Sequence, residues 1–190
     1  MKTSFLSIAL FVLVTACNNT ANDSVEQADS ANQAKLDSPS QSQPIAADEA
    51  TASFLVDAAN GGMAEVEMGG LAQQKAVNPE VKQFGAMMTQ DHSGANAKVK
   101  ALAAQRNVTL PMTMGDDHRA QKEELDKKTG AEFDRAYMKA MVNYHEDDIK
   151  KFEDAAEKIS DNEVKTFITS TLPTLRTHLD SAKAIQKRIK

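Results

Sequence analysis

The stretch that decides the fold is Val81-Lys82-Gln83-Phe84-Gly85-Ala86-Met87-Met88-Thr89-Gln90-Asp91-His92, which runs on to Leu102. Val81, Phe84, Met88, Ala95, Val99 and Leu102 fall at the three-and-four spacing of one helical face. With about 100° between successive residues, Asp91 and His92 flank the centre of that apolar stripe and not the solvated side. Asn78-Pro79 offers an N-cap and a first-turn proline, so the spacing predicts a helix of roughly 28 residues, about 42 Å long, with His92 near its middle. A titratable pair at mid-height on a buried face is costly unless partners meet it there.

Candidate partners lie on three further periodic segments. Thr51 to Val77 carries Phe54, Ala58, Met68, Ala72 and Ala76 on one face, with Glu65 near its centre and Glu67 turned away. Asn60-Gly61-Gly62 interrupts this segment, as a kink or as a place for close packing. Ala131 to Ile159 shows Phe133, Tyr137, Met141, Phe152 and Ile159 on a face, with His145 and Asp148 within about 40° of its centre. Ser160-Asp161 caps a last helix with Val164, Phe167, Thr171, Leu175, Ala182 and Ile185, His178 beside them and Pro173 expected to kink it. Between the two pairs, residues 107 to 115 break the pattern, and a short helix begins at Asp116-Asp117 and ends near Lys128, with Gly130 as its stop. Two hairpins of long helices joined by such a crossover predict an all-α, ferritin-like four-helix bundle with a short extra helix in the long connection.

Glu65, His92, His145 and His178 each sit on an inward face at about the same distance from the turn of their hairpin. One ligand-type side chain per helix at one level is what an intrabundle metal site needs. Asp91 and Asp148 are placed as further ligands or as acceptors for imidazole N–H groups. Met88 and Met141 each precede a histidine by one turn and add thioethers suited to copper. The same residues also fit a hydrogen-bonded network that only fixes helix register. Three residues before the four histidines stand Thr89, Gly115, Val142 and Leu175, so the Glu-x-x-His signature of carboxylate di-iron bundles is missing. Met112 and Met114 followed by His118 form a weaker Cu(I)-type pattern, read first as a hydrophobic tuck. No nucleophile elbow, phosphate loop or dinucleotide fingerprint occurs, and no catalytic residue is assigned.

The chain's start bears on compartment. Met1-Lys2 followed by an apolar run from Phe5 to Val14 is too short to span a bilayer, and Val14-Thr15-Ala16-Cys17 resembles a bacterial lipobox. The resemblance implies a signal peptide over residues 1–16, lipidation of Cys17 and a lipoprotein of the cell envelope. With Asn18 after the cysteine, the implied place is the outer membrane facing the periplasm. Cys17 is the only cysteine, which excludes disulfides, thiolate zinc sites and iron–sulfur clusters in the mature chain. Residues 17 to 190 number 174, and losing Lys2 takes the formal charge from −5 to −6, without a basic stripe for nucleic acid. Residues 17–49 are poor in large apolar side chains and read as a disordered tether of roughly 30 Å reach, with the bundle over residues 50–190.

Phe54 to Leu71 with its Asn60-Gly61-Gly62, Met88-x-x-Asp91-His92-x-x-x-Asn96, Gly130-x-x-Phe133-Asp134, Met141-x-x-x-His145 and Leu172-Pro173-x-Leu175-x-x-His178-Leu179 carry a resemblance. In that order, over residues 50 to 186, they resemble the bacterial family called domain of unknown function 4142. The resemblance implies a ferritin-like bundle in exported, often lipidated proteins, and no activity. Three readings stay open. The first is a non-catalytic, membrane-anchored envelope protein holding a transition metal (Cu, Fe or Zn) at mid-bundle. The second is a metal-dependent redox or metal-handling enzyme, with bis-histidine haem ligation as a variant. The third is an interaction module whose acidic surface docks another envelope protein.

Overall fold

The computed structural model describes residues 23–37 and 47–189, so Cys17 and the whole of the expected signal lie outside the described residues. Six helices and no strand are present among them: α1 (Ser24–Asp37), α2 (Glu49–Lys75), α3 (Pro79–Gln105), α4 (Asp116–Asp126), α5 (Gly130–Lys158) and α6 (Asn162–Arg188). None is long and apolar enough to cross a membrane. The ends obey local chemistry. Asn78 accepts from the backbone N–H groups of Glu80 and Val81 ahead of Pro79, and Asp161 does the same for Glu163 and Val164. Gly130 is the first residue of α5 and not a stop for α4; its φ of 56° is the left-handed backbone that glycine tolerates. The α6 helix continues on both sides of Pro173.

Contacts at the two ends fix the topology. At one end the Asp134 carboxylate, at the start of α5, accepts from the backbone N–H groups of Val77 and Asn78 in the α2–α3 turn, at 3.1 and 2.8 Å. The Arg188 guanidinium, at the end of α6, makes a two-pronged pair with Glu80 at the start of α3. At the other end Arg106, just past α3, is buried and donates to Asp161 at 2.8 and 2.6 Å and to Glu163 at 2.9 Å. Thus α2 runs up, α3 down, α5 down and α6 up, and the segment containing α4 travels the length of the bundle between the hairpins. This is the four-helix bundle with one long crossover that the sequence predicts.

One stretch departs from the sequence reading. Ser24–Asp37, expected within a disordered tether, is helix α1 and lies against the crossover. The side chain of Asn32 donates to the Thr109 carbonyl at 2.9 Å and accepts from the Thr109 N–H at 2.7 Å. Lys35 reaches the Asn107 carbonyl and the Thr109 hydroxyl. The segment buries little apolar surface of its own and also packs against α2, so its order rests on tertiary partners, the hydrogen-bonded ones more than 70 residues away, which local composition does not reveal.

Apolar packing forms two clusters. One gathers Met68, Val81, Phe84, Met88, Phe133, Tyr137, Met138 and Met141 towards the α2–α3 turn. The other gathers Phe54, Leu55, Val99, Phe152, Ile159, Val164, Phe167 and Leu175 towards the opposite end. Within the first cluster α2 and α3 approach closely at Gly69 and Gly85. A methyl on Gly85 would stand 2.8 Å from both the Gly69 carbonyl oxygen and the Ala72 Cβ. Backbone cannot yield as a flexible side chain does, so Gly85→Ala is expected to destabilise the protein by about 1–3 kcal/mol despite alanine's better helix propensity. Chemical denaturation checks this; an unchanged or raised midpoint would contradict the close approach.

Candidate metal centre

The gap between the two apolar clusters is occupied by Glu65 from α2, His92 from α3, His145 from α5 and His178 from α6, all buried. Each helix delivers its residue through the same apolar periodicity that seats its neighbours in the clusters, so four mid-helix side chains meet at one level. The three imidazole rings are mutually adjacent, with centroids 5.3 to 5.7 Å apart. One nitrogen from each histidine lies within 4.8 Å of the other two.

Hydrogen bonding assigns the protons. His145 Nδ1 lies 2.8 Å from the Met141 carbonyl oxygen, which only accepts, so Nδ1–H donates and Nε2 carries the lone pair. His178 Nε2 lies 2.9 Å from the Asp91 carboxylate and donates to it, which leaves the lone pair on Nδ1. The two lone-pair nitrogens, His145 Nε2 and His178 Nδ1, face one another at 3.3 Å. His92 Nδ1 stands 2.7 Å from Glu65 Oε2, and His92 Nε2 is buried without a protein partner. Each ring is therefore held from outside by an oxygen, His145 and His178 turn unprotonated nitrogens towards each other, and one nitrogen of His92 lies close to both rings. This is how histidines that ligate metals are oriented.

Burial sets the electrostatics. It lowers the pKa of all three imidazoles; Asp148 and Asp91 oppose the shift at His92, Glu65 at His145, and the Asp91 hydrogen bond at His178. Neutral rings are the form that binds a cation. Burial pushes the Glu65 carboxyl up to about 7, with His145 acting against it. Its Oε1 is 3.4 Å from His145 Nδ1, but that N–H is already given to Met141, so Oε1 has no hydrogen-bond partner. Burial, and then the charge of Glu65, push the Asp148 carboxyl up to about 8.

The candidates separate by role. His92, His145 and His178 converge, whereas Glu65 stands behind the rings at their Nδ1 atoms, outside the group of convergent nitrogens. Asp91 orients His178. Asp148 borders a cleft of about 390 Å³ shared with Gly61, Glu65, His92 and His178. Met88 and Met141 are packed in the apolar cluster, and it is the Met141 backbone carbonyl that touches His145. Sequence reasoning missed that carbonyl, although a residue four positions before a histidine on its own helix is a standing candidate. The methionine loop does not assemble: Met112 is 92% exposed, Met114 is buried in the core, and His118 pairs with the Tyr144 hydroxyl at 3.1 Å.

Comparison with known proteins gives a fold and a family. The solved structure described as "CopM in the Cu(II)-bound form" superposes with a TM-score of 0.64 at 17% identity, over 74% of this chain and 97% of that one. At that identity the likeness is one of helical fold. No curated protein matches. A family model described as "Domain of unknown function (DUF4142)" matches residues 36–185, from the end of α1 through most of α6. That span is well over half the chain, and the protein belongs to this family of helical bundles.

Proposed function

We propose that this protein is a metal-handling bundle of the cell envelope, anchored through a lipid on Cys17, that binds a transition-metal cation, copper foremost, with His92, His145 and His178. The observation that carries the reading is the pair of lone-pair nitrogens facing each other at 3.3 Å, beside a third, buried and unpartnered nitrogen on His92. A closed structural network would place a proton in one of these gaps. Here the Met141 carbonyl and the Asp91 carboxylate take the N–H groups of the neutral His145 and His178 rings, so no proton is left for the gap between them, and a cation at the centre would serve all three rings at once. Ligand nitrogens about 3.3 Å apart span the edge of a tetrahedron with bonds of about 2.0–2.1 Å. Neutral imidazoles suit Cu, Zn and Fe, and copper stands highest in the divalent affinity order. The helical likeness to a copper-bound protein favours the same metal.

Within this reading Glu65 is the acceptor that fixes His92, and not a ligand. Its charge offsets that of the cation across the ring. His145, fully buried, forms the closed wall of the site, while His92 and His178 border the cleft. An open side suits reversible loading more than permanent retention, so handling is favoured over a structural metal. The lipobox-like Val14-Thr15-Ala16-Cys17 supports anchoring, and Asn18 supports the outer membrane.

Wild-type protein without a His-tag is expected to bind Cu(II) and to gain about 2.7 kcal/mol of stability at a hundredfold excess over Kd. A His92→Ala/His145→Ala double variant should lose both metal content and thermal response. Equal metal content and equal melting shifts in the two proteins would overturn the centre. Cys17→Ala should move the protein from the membrane to the soluble fraction on cell fractionation, and unchanged partitioning would refute the anchor.

The metal-free protein should reveal the strain at Glu65. Its carboxyl holds a proton up to about 7 when folded, against 4.5 as an ordinary value, so the folded state binds more protons between those limits. Stability from this group is therefore present below about 4.5, falls as pH rises to about 7, and stays lost above, by about 3 kcal/mol. Glu65→Gln should then raise the melting temperature of apoprotein at pH 8.5 relative to wild type, and have little effect at pH 4.5. An equal effect at both pH values would contradict the buried, ionising carboxyl.

A further inference from the structure

The cleft beside the histidines holds a group that the reading above leaves idle. Asp148 lies on α5, one turn beyond His145, and is half-buried. Among the described residues no hydrogen-bond donor reaches its carboxyl. The groups that act on it most strongly after burial are the Glu65 carboxyl, Lys151 and the His92 ring. Gly61 on α2 is its neighbour: a methyl there would stand in ordinary van der Waals contact with Asp148 Oδ1, at 3.6 Å. A carboxyl drawn partly out of water without a hydrogen-bond donor is costly, and a cation beside it would offset that cost.

The cleft's lining includes both groups next to which Asp148 would act. His92 borders the cleft and its Nε2 is buried without a hydrogen-bond partner among the described residues, whereas His145 does not border the cleft. An ion in this opening therefore has Asp148, His92 and His178 within the same lining, and only His145 stands beyond it. Asp148 is not among the convergent group of His92, His145 and His178, so in this arrangement it stands outside the centre. The opening is apolar on its far wall, where Val99, Phe152, Phe167 and Leu175 lie. Of the carboxylates that line the cleft, Glu65 is held by His92 and Asp91 by His178, which leaves Asp57 and Asp148 as hard oxygen donors able to exchange for a water on a hydrated cation, and of these two Asp148 is the one whose charge is felt at His92.

We infer that Asp148 is the transfer carboxylate of this site: it takes the hydrated divalent cation at the cleft and passes it to His92 and His178, with His145 bound last. The proposal rests on the metal-binding reading of the triad and adds the route and the order. Loading replaces water on the cation by a carboxylate oxygen, and then that oxygen by imidazole nitrogen, with no change of oxidation state. Release runs the same steps backwards. A transfer group lowers the barrier in both directions and leaves the equilibrium nearly unchanged.

The test is stopped-flow uptake of Cu(II) by the full apoprotein, and its release into excess EDTA, at about 0.15 M salt so that distant charges are screened. In Asp148→Asn both rates should fall about tenfold or more, while Kd shifts less than about threefold. Asp147→Asn removes the same charge from the next, exposed position on α5 and should leave both rates within about twofold. Asp148→Glu restores a carboxylate and should recover most of the rate. Unchanged rates in Asp148→Asn, with wild-type affinity, would overturn the transfer role and leave the triad standing. A fall in affinity with unaltered association, together with a changed Co(II) d–d spectrum, would make Asp148 a permanent ligand and also overturn it. Absence of Cu(II) binding by wild type would instead bring down the metal-binding reading beneath it.

Discussion

The rest of the structure is arranged around one interruption: at mid-height, four polar side chains take the place of apolar packing. Burying Glu65 and three imidazoles costs desolvation free energy that none of their mutual contacts in the metal-free state fully returns, since Glu65 Oε1 and His92 Nε2 remain without partners. The apolar clusters above and below supply the compensation. Phe133, Tyr137, Met138 and Met141 on one side, and Leu55, Ile159, Val164 and Ile168 on the other, are almost wholly excluded from water. The polar layer is held rigid because it lies between two well-packed blocks and not at a surface.

The ends of the bundle make that rigidity specific. The Asp134 carboxylate clasps the α2–α3 turn, and Arg106 joins α3 to α6 through Asp161 and Glu163. Because both ends are tied, the helices cannot slide, and residues at equal depth stay at equal depth. The Gly69–Gly85 contact then brings α2 close enough to α3 for Glu65 to reach His92 at 2.7 Å. The α5–α6 hairpin does the same for His145 and His178. Orientation is finished by the outer oxygens of Glu65, Met141 and Asp91, each of which fixes one tautomer.

The site is asymmetric across the bundle, and that asymmetry bears on what it can do. His145 is sealed, whereas His92 and His178 border a cleft that also holds Asp148. In the proposed reading this opening is the path by which a cation is exchanged with the surroundings, at donors that do not have to move.

Much of this was legible in the chain. Asn78-Pro79, Asp116-Asp117 and Ser160-Asp161 mark helix starts through side-chain chemistry that acts within a few residues. The 3.6-residue periodicity placed Glu65, His92, His145 and His178 on inward faces and so implied their meeting. The helix over Ser24–Asp37 was not legible, because its order depends on Asn32 and Lys35 finding Thr109 and Asn107, partners remote in sequence. Nor could periodicity separate Glu65, which stands behind the rings, from the histidines that converge. Spacing fixes which face a side chain occupies, but which nitrogen is free, and which oxygen holds the other, depends on ångström-scale distances between helices. Those distances come from how the glycine contact and the end clasps pack the bundle, and only the folded chain decides them.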